Sequence, residues 1–324
     1  MEVHFYEAFA EEAELLQRYL PKDWKAVFYR ETIQEAGRRP APATVISVRT
    51  QSKIPAEWAG QLSAILTRST GYDQVKAFLQ ANAARLGDEV QAGSLPLYCN
   101  RAVAEHAMLL WTALLKKLSR QIKQFRTFDR DNLTGAELES KVLAVFGVGN
   151  IGHEITRIGK GLDMRVLGVD IERKHADVVY RSPEEALGQA DVVVCAMDLT
   201  ADNRNYFTAA QLKLARPGLI FVNISRGELS PCTTLLQLLN ENHLGGVGLD
   251  VFDDEANLAR GLRGGPYEET DEVKAAAILR LRDNVIFTPH NAFNTVEAVE
   301  RKARQSIEQL EHYRINGRFL WPVL

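Results

Sequence analysis

"VFGVGNIGHEI", residues 145–155, sets glycines at 147, 149 and 152 between an apolar run and a segment of helical pattern. The spacing G-x-G-x-x-G in that setting is the signature of a strand, a tight turn and a helix that together bind a dinucleotide. Gly147 permits the turn, Gly149 lets a pyrophosphate approach the backbone, and Gly152 lets the helix pack against the strand. Asn150 and Ile151 open the helix, whose unpaired N–H groups and positive dipole end favour phosphate. The next apolar run ends in Asp170, whose carboxylate can accept both ribose hydroxyls and would repel a 2′-phosphate, so NAD is favoured over NADP. Arg173 or Lys174, just beyond it, could soften that preference. Flavin and S-adenosyl sites use similar turns, and so does a glycine turn with no ligand.

Working outward from this turn, "KVLAVFG", "RVLGVD", "DVVVCA", "GLIFVNI", "LGGVGLD" and "NVIFTPH" read as strands between residues 141 and 290. Most are apolar throughout, as expected of parallel strands covered by helices on both faces. The first hundred residues show the same alternation on a smaller scale. "VHFY", "AVFY", "TVISV" and "SAILT" read as strands, with helical segments such as "EAFAEEAELLQRYL" and "YDQVKAFLQANAARL" among them. Residues 101–125, free of glycine and proline, read as one long helix able to pass from one domain to another. The segment "TVEAVERKARQSIEQLEHYRING" is again helical and is expected to return to the first domain. The fold class is therefore α/β, with two Rossmann-like or flavodoxin-like parallel-sheet domains, the first split around the second. The expected parts are 1–103 (substrate domain, first part), 104–292 (NAD-binding domain) and 293–324 (return to the substrate domain).

In an open parallel sheet, ligands bind beyond the carboxyl ends of the strands. "GLIFVNISRG" delivers Arg226 there, "LGGVGLDVFDDE" delivers Asp250 and Glu255, and "NVIFTPHNAF" delivers His290. A histidine can protonate a carbonyl oxygen as hydride reaches carbon, and can reverse the step, near neutral pH. A neighbouring carboxylate favours its charged form, and an arginine fork binds a carboxylate while polarising an adjacent carbonyl. Taken singly, each has a plainer reading: a surface salt bridge for Arg226, a solvated acidic turn for Glu255, a strand-end cap for His290.

The bulk composition excludes several classes. A net charge of −3 gives no sign of a nucleic-acid or anionic-membrane binder. The three cysteines, Cys99, Cys195 and Cys232, form no CxxC, and no His/Cys cluster has metal spacing, so neither a disulfide framework nor a metal is expected. No apolar run approaches the roughly 18 residues of a membrane span, and the acidic start "MEVHFYEAFAEEAE" does not read as a signal peptide. A cytoplasmic enzyme is the expectation. Cys99 and Cys195 read as small buried fillers, His153 as solvent-facing, and His106 as a packing residue or an interdomain hydrogen bond.

"RSTGYDQV" (68–75), "LPLYCNRAVAEHA" (95–107), "VGNIG" (148–152), "VNISRGEL" (222–229), "GLDVFDDE" (248–255) and "FTPHNAF" (287–293) together resemble the D-isomer-specific 2-hydroxyacid dehydrogenase family, in order and spacing and over nearly the whole chain. "HNAF", His290 to Phe293, is similar to its D-lactate dehydrogenase branch. The resemblance implies a catalytic triad of Arg226, Glu255 and His290. It implies cofactor contacts from Gly147, Gly149, Asn150, Ile151, Gly152, Asp170 and Asp250. It implies substrate contacts from Thr70, Gly71, Tyr72, Tyr98 and Phe293, the last favouring a small or apolar side chain. The implied reaction is NAD-dependent, reversible reduction of a pyruvate-like 2-keto acid to the D-2-hydroxy acid, by a homodimer associating through residues 101–118. "AMDLT", 196–200, departs from the family's histidine and proline there, so cofactor contacts in that stretch are not carried over. Arg101 follows "YCN" where lactate-type members more often carry a small or amide residue; it reads as a surface group or, facing the pocket, as a contact for a second anionic group on the substrate. Two other functions share the pattern: a dehydrogenase for another anion such as phosphite, and an NAD-sensing binding protein like the co-repressors of this fold.

Overall fold

The computed structural model describes residues 1–37, 40–86 and 90–323. The chain divides into two compact units, one of Met1–Cys99 with Asn294–Leu324, the other of Asn100–Phe293.

The first unit is built on a five-stranded, all-parallel sheet of order β2-β1-β3-β4-β5: β1 (Glu2–Phe5), β2 (Lys25–Phe28), β3 (Val45–Val48), β4 (Ala64–Thr67) and β5 (Gln91–Gly93). Four of these fall where β-branched and aromatic residues cluster. The fifth, "QAG", carries no such signal and was not expected. A side chain at Gly93 would meet Phe319 at 2.5 Å, so glycine there lets the chain's end pack on the strand. The helix Val296–Asn316 begins at a Thr295 cap and ends at Gly317 in the left-handed region. It packs on the helix Ala10–Tyr19 and on β4, the return expected of the C-terminal segment.

The second unit is a six-stranded, all-parallel sheet of order β11-β10-β9-β8-β6-β7: β6 (Val142–Phe146), β7 (Arg165–Val169), β8 (Val192–Cys195), β9 (Leu219–Asn223), β10 (Leu244–Leu249) and β11 (Val285–Phe287). Every expected strand is present, and β6, β8 and β9 are buried at each residue, as doubly covered strands must be. The chain runs from β6 to β7 on one side, then crosses to β8 on the other. The carboxyl end of β6 is thus the switch point, the place where ligands bind in open parallel sheets.

The long helix of residues 101–125 is corrected. It is two helices, Asn100–Leu115 and Leu118–Gln124, separated at Lys117, whose φ is +53°. The cause lies in distant sequence. The N–H of Ala136 donates to the Leu115 carbonyl, and Gly135 approaches so closely that a Cβ there would sit 2.6 Å from that oxygen. Returning backbone takes a carbonyl that the helix would use to continue. Both helices belong to the second unit.

Candidate active site

The glycine turn has the geometry its spacing requires. Gly147 has φ +86°, and a Cβ at Gly152 would lie 1.8 Å from the Gly147 carbonyl oxygen. Only glycine lets the helix Asn150–Gly161 start this close to β6. A Cβ at Gly149 would find no atom within 4 Å, so the backbone there is open to a ligand. Gly149 caps the helix without a side-chain bond, leaving the first N–H groups for an anion. Asp170 ends β7 with its carboxylate already aimed, accepting from Val148 N at 2.6 Å and Glu172 N at 2.9 Å. A turn open at Gly149, an uncapped 12-residue helix and a fixed carboxylate fit a dinucleotide with free ribose hydroxyls.

Arg226, Glu255 and His290 follow β9, β10 and β11, three neighbouring parallel strands. The loop of Arg226 is set by Asn223, which donates to Arg226 O and to Ser230 Oγ and accepts from Ser225 N. Ser225 in turn donates to Met197 O. Gly227 presses on the next loop: a Cβ there would lie 1.8 Å from the Phe252 carbonyl carbon. The backbones leading to Arg226 and Glu255 are therefore in direct contact. Glu255 and His290 meet, with His290 Nδ1 at 2.9 and 3.0 Å from the two carboxylate oxygens. A carboxylate accepts, so Nδ1–H donates, and Nε2 points its proton or lone pair elsewhere. Both side chains are about one-quarter exposed, within reach of a ligand yet shielded.

Asp250, expected as a cofactor contact, is enclosed. It is 1% exposed, and its carboxylate accepts from Thr288 Oγ1 at 2.6 Å, Asn291 N at 2.8 Å and Ala292 N at 2.9 Å. These donors bracket His290, whose φ of +51° is costly for a non-glycine residue. Thr288's only proton goes to Asp250, so His106 Nε2–H is the donor in its 2.9 Å contact with Thr288 Oγ1. His106 and Thr288 belong to the same unit, so of the two roles expected for that histidine, packing or an interdomain bond, this contact is not the second.

The other expected residues lie as follows. Phe293 is half-buried at the end of the His290 loop. Arg101 spends its guanidinium on Glu105 and Glu154, as a surface group does. Cys195 is buried and its thiol is pushed up to about 12 by burial; Cys99 is raised by the same cause. Both are fillers. In the first unit, Thr70 Oγ1 donates to Leu95 O at 3.3 Å and meets Cys99 Sγ at 3.5 Å. Gly71 O accepts from Ser69 Oγ, and Tyr72 caps the helix Asp73–Ala81. Tyr98 is 4% exposed, with Lys302 Nζ 5.9 Å above its ring.

Sequence reasoning missed Asn223, Thr288 and the buried ion group Glu12, Arg68 and Lys302. Glu12 lies 2.8 Å from Arg68 and 2.9 Å from Lys302, and no side chain of the three is more than 2% exposed. Asn223 and Thr288 sit inside motifs already quoted, so their position next to Arg226 and His290 was the available signal. Arg68 opens the quoted "RSTGYDQV", but nothing local pairs residues 12, 68 and 302, so no signal marked the group.

The model of the family described as "D-isomer specific 2-hydroxyacid dehydrogenase, NAD binding domain" matches residues 106–292. The glyoxylate reductase of Pyrococcus furiosus is 30% identical over 277 residues, 81% of this chain and 76% of the relative. The D-lactate dehydrogenase of Escherichia coli K12 is 29% identical over 228 residues, 67% of each chain. The crystal structure of an Aquifex aeolicus D-lactate dehydrogenase complexed with NAD and lactic acid superposes with a TM-score of 0.84 at 26% identity, covering 98% of both chains.

Proposed function

The chain belongs to the D-isomer specific 2-hydroxyacid dehydrogenases, NAD-dependent oxidoreductases of CH–OH groups, and from that premise we propose that it interconverts a small or apolar 2-keto acid and its D-2-hydroxy acid. The Glu255–His290 pair beside Arg226, at the carboxyl ends of neighbouring strands in the sheet that bears the glycine turn, carries this reading.

NAD supplies or takes the hydride when bound. Gly147, Gly149, Asn150, Ile151 and Gly152 would hold its phosphates, and Asp170 its ribose hydroxyls. Arg226 binds the substrate carboxylate with its planar fork and polarises the adjacent carbonyl. His290 holds a proton at Nε2 and gives it to the carbonyl oxygen in reduction; the alcohol returns it in oxidation. Glu255 fixes the ring through Nδ1 and stabilises the imidazolium that exists between these events. Asp250 acts one step back, by holding the turn on which His290 sits. Thr70, Gly71, Tyr72 and Tyr98 are proposed to contact the substrate, as is Phe293, whose ring favours a small or apolar side chain.

A spectrophotometric panel of NADH oxidation with pyruvate, 2-ketoisocaproate, glyoxylate and 2-ketoglutarate, and of NAD reduction with phosphite, tests the substrate. Turnover highest on the first two supports the proposal. Preference for the dicarboxylate, for phosphite, or for none of them overturns it, the last result favouring an NAD-sensing role. The homodimer belongs to the same proposal: Leu109, Leu118, Ile122, Phe125 and Phe128 leave a run of exposed apolar side chains on the second unit. Light scattering at twice the 36.3 kDa chain mass is the expected result. No helix among the described residues is long and apolar enough to cross a membrane. The three buried free thiols fit the reducing cytoplasm proposed for it.

A further inference from the structure

A second cluster of ligand atoms lies on the nucleotide-binding unit, and the dehydrogenase chemistry makes no use of it. His153 stands in the first turn of the helix Asn150–Gly161, while His175 and Asp177 belong to the segment that leaves β7 after Asp170. The two imidazole rings stack, with centroids 3.8 Å apart and planes within 6°. His153 Nε2 is 3.0 Å from Asp177 Oδ1. One ligand atom from each of the three residues falls within 4.8 Å of the others. We propose that His153, His175 and Asp177 bind one divalent transition-metal ion of the zinc class, which clamps the segment after β7 onto the helix.

The donor set selects the metal. Two imidazoles and one carboxylate suit zinc, cobalt, nickel or copper, whereas magnesium and calcium prefer oxygen alone. Zinc bonds of about 2.0–2.2 Å in a tetrahedron put neighbouring donors roughly 3.3–3.5 Å apart. Closing the site takes rotation about the side-chain torsions of both histidines, available to groups that are half-buried or exposed. The rings must leave their parallel stack, because the in-plane lone pairs of parallel rings never meet, and turn until both aim at one point. The ion takes the place of the proton now shared between His153 and Asp177, and water completes the shell.

The carboxylate is prepared for this. Oδ1 faces His153, while Lys160 Nζ holds Oδ2 at 2.8 Å and also donates to the Asp177 carbonyl. Such a neighbour orients a ligating carboxylate from behind. Competing thiolates are absent, since Cys99, Cys195 and Cys232 are all buried.

The consequence is a fixed loop. The segment that carries His175 and Asp177 starts at Asp170, whose carboxylate holds Val148 N in the glycine turn. An ion at the far end would tie both ends of the segment to the same helix and turn. The ion site itself does not depend on the proposed substrate.

The test is calorimetric titration of Zn²⁺ into untagged, chelator-stripped, full-length protein. One ion per chain is expected, at micromolar affinity, with H153A and H175A each weakening binding at least tenfold. His312→Ala, which changes another half-buried histidine, should bind as the parent does. Cobalt should give the visible absorption of a four-coordinate site, lost in H175A. Hydrogen exchange across 171–179 should slow several-fold on adding Zn²⁺. Absence of a stoichiometric transition, or equal binding by the H153A/H175A double variant, overturns the site. Unchanged exchange in a zinc-loaded protein overturns the clamp.

Discussion

The hydroxyl of Thr288 donates a 2.6 Å hydrogen bond to Asp250 Oδ1 and takes one from His106. It thereby fixes the buried carboxylate that holds Asn291 N and Ala292 N on the other side of His290. Thr288→Val takes one of three donors from Asp250 and removes the acceptor of His106 Nε2–H. Expected is a fall in kcat on the order of tenfold, as for other groups that orient a reacting residue, with NADH affinity little changed. Thr288→Ser should restore most of the loss. A kcat equal to the parent's in the valine variant would remove the clamp from catalysis.

His290→Gln should abolish turnover to about 10²–10⁴-fold below the parent, the range of general acid–base catalysis, while NADH still quenches tryptophan fluorescence. Glu255→Gln keeps the shape but not the charge that stabilises the imidazolium. Its kcat for keto-acid reduction should fall at least tenfold, with the NADH constant little changed. A kcat equal to the parent's would disconnect the pair from the chemistry.

Arg226→Lys replaces a planar fork by a point charge. The apparent KM for the keto acid should rise by at least tenfold, with the NADH constant nearly unchanged. An unaltered KM would exclude Arg226 from the carboxylate.

Gly152→Ala puts a methyl group 1.8 Å from the Gly147 carbonyl oxygen. The helix must shift, at a cost of about 1–3 kcal/mol, and the open N–H groups move off the phosphates. NADH binding measured by fluorescence should be lost before folding is, as judged by circular dichroism.

Glu12 is buried between Arg68 and Lys302. Burial pushes its carboxyl up, but the two cations outweigh that and hold it at about 2 against an ordinary 4.5. The folded state therefore binds this proton less readily than the unfolded chain, so its contribution is complete above pH 4.5 and is lost as pH falls from there toward 2. Glu12→Gln strands two buried cations and should destabilise the protein by about 3–5 kcal/mol, measured by urea unfolding at pH 7. The difference between variant and parent should narrow below pH 4.5. A constant difference down to pH 2 would show that Glu12 is not titrating as the structure requires.

The amino-acid sequence by itself determined ten of the eleven strands, the glycine turn and the strand-end residues, because each is encoded over a few neighbouring positions. An all-apolar run buries both faces of a strand, and Gly152 answers a steric demand from a residue five positions away. Tertiary structure alone decided the order of the strands, and hence that Arg226, Glu255 and His290 stand on adjacent ones. It broke the helix at Lys117 through backbone from Gly135 and Ala136. It turned Asp250 inward onto Thr288 and stacked His175 on His153. It also brought Glu12, Arg68 and Lys302 into one buried group. In each of these the partners lie far apart in the chain, and only the summed burial of the sheets, which no local pattern records, brings them together.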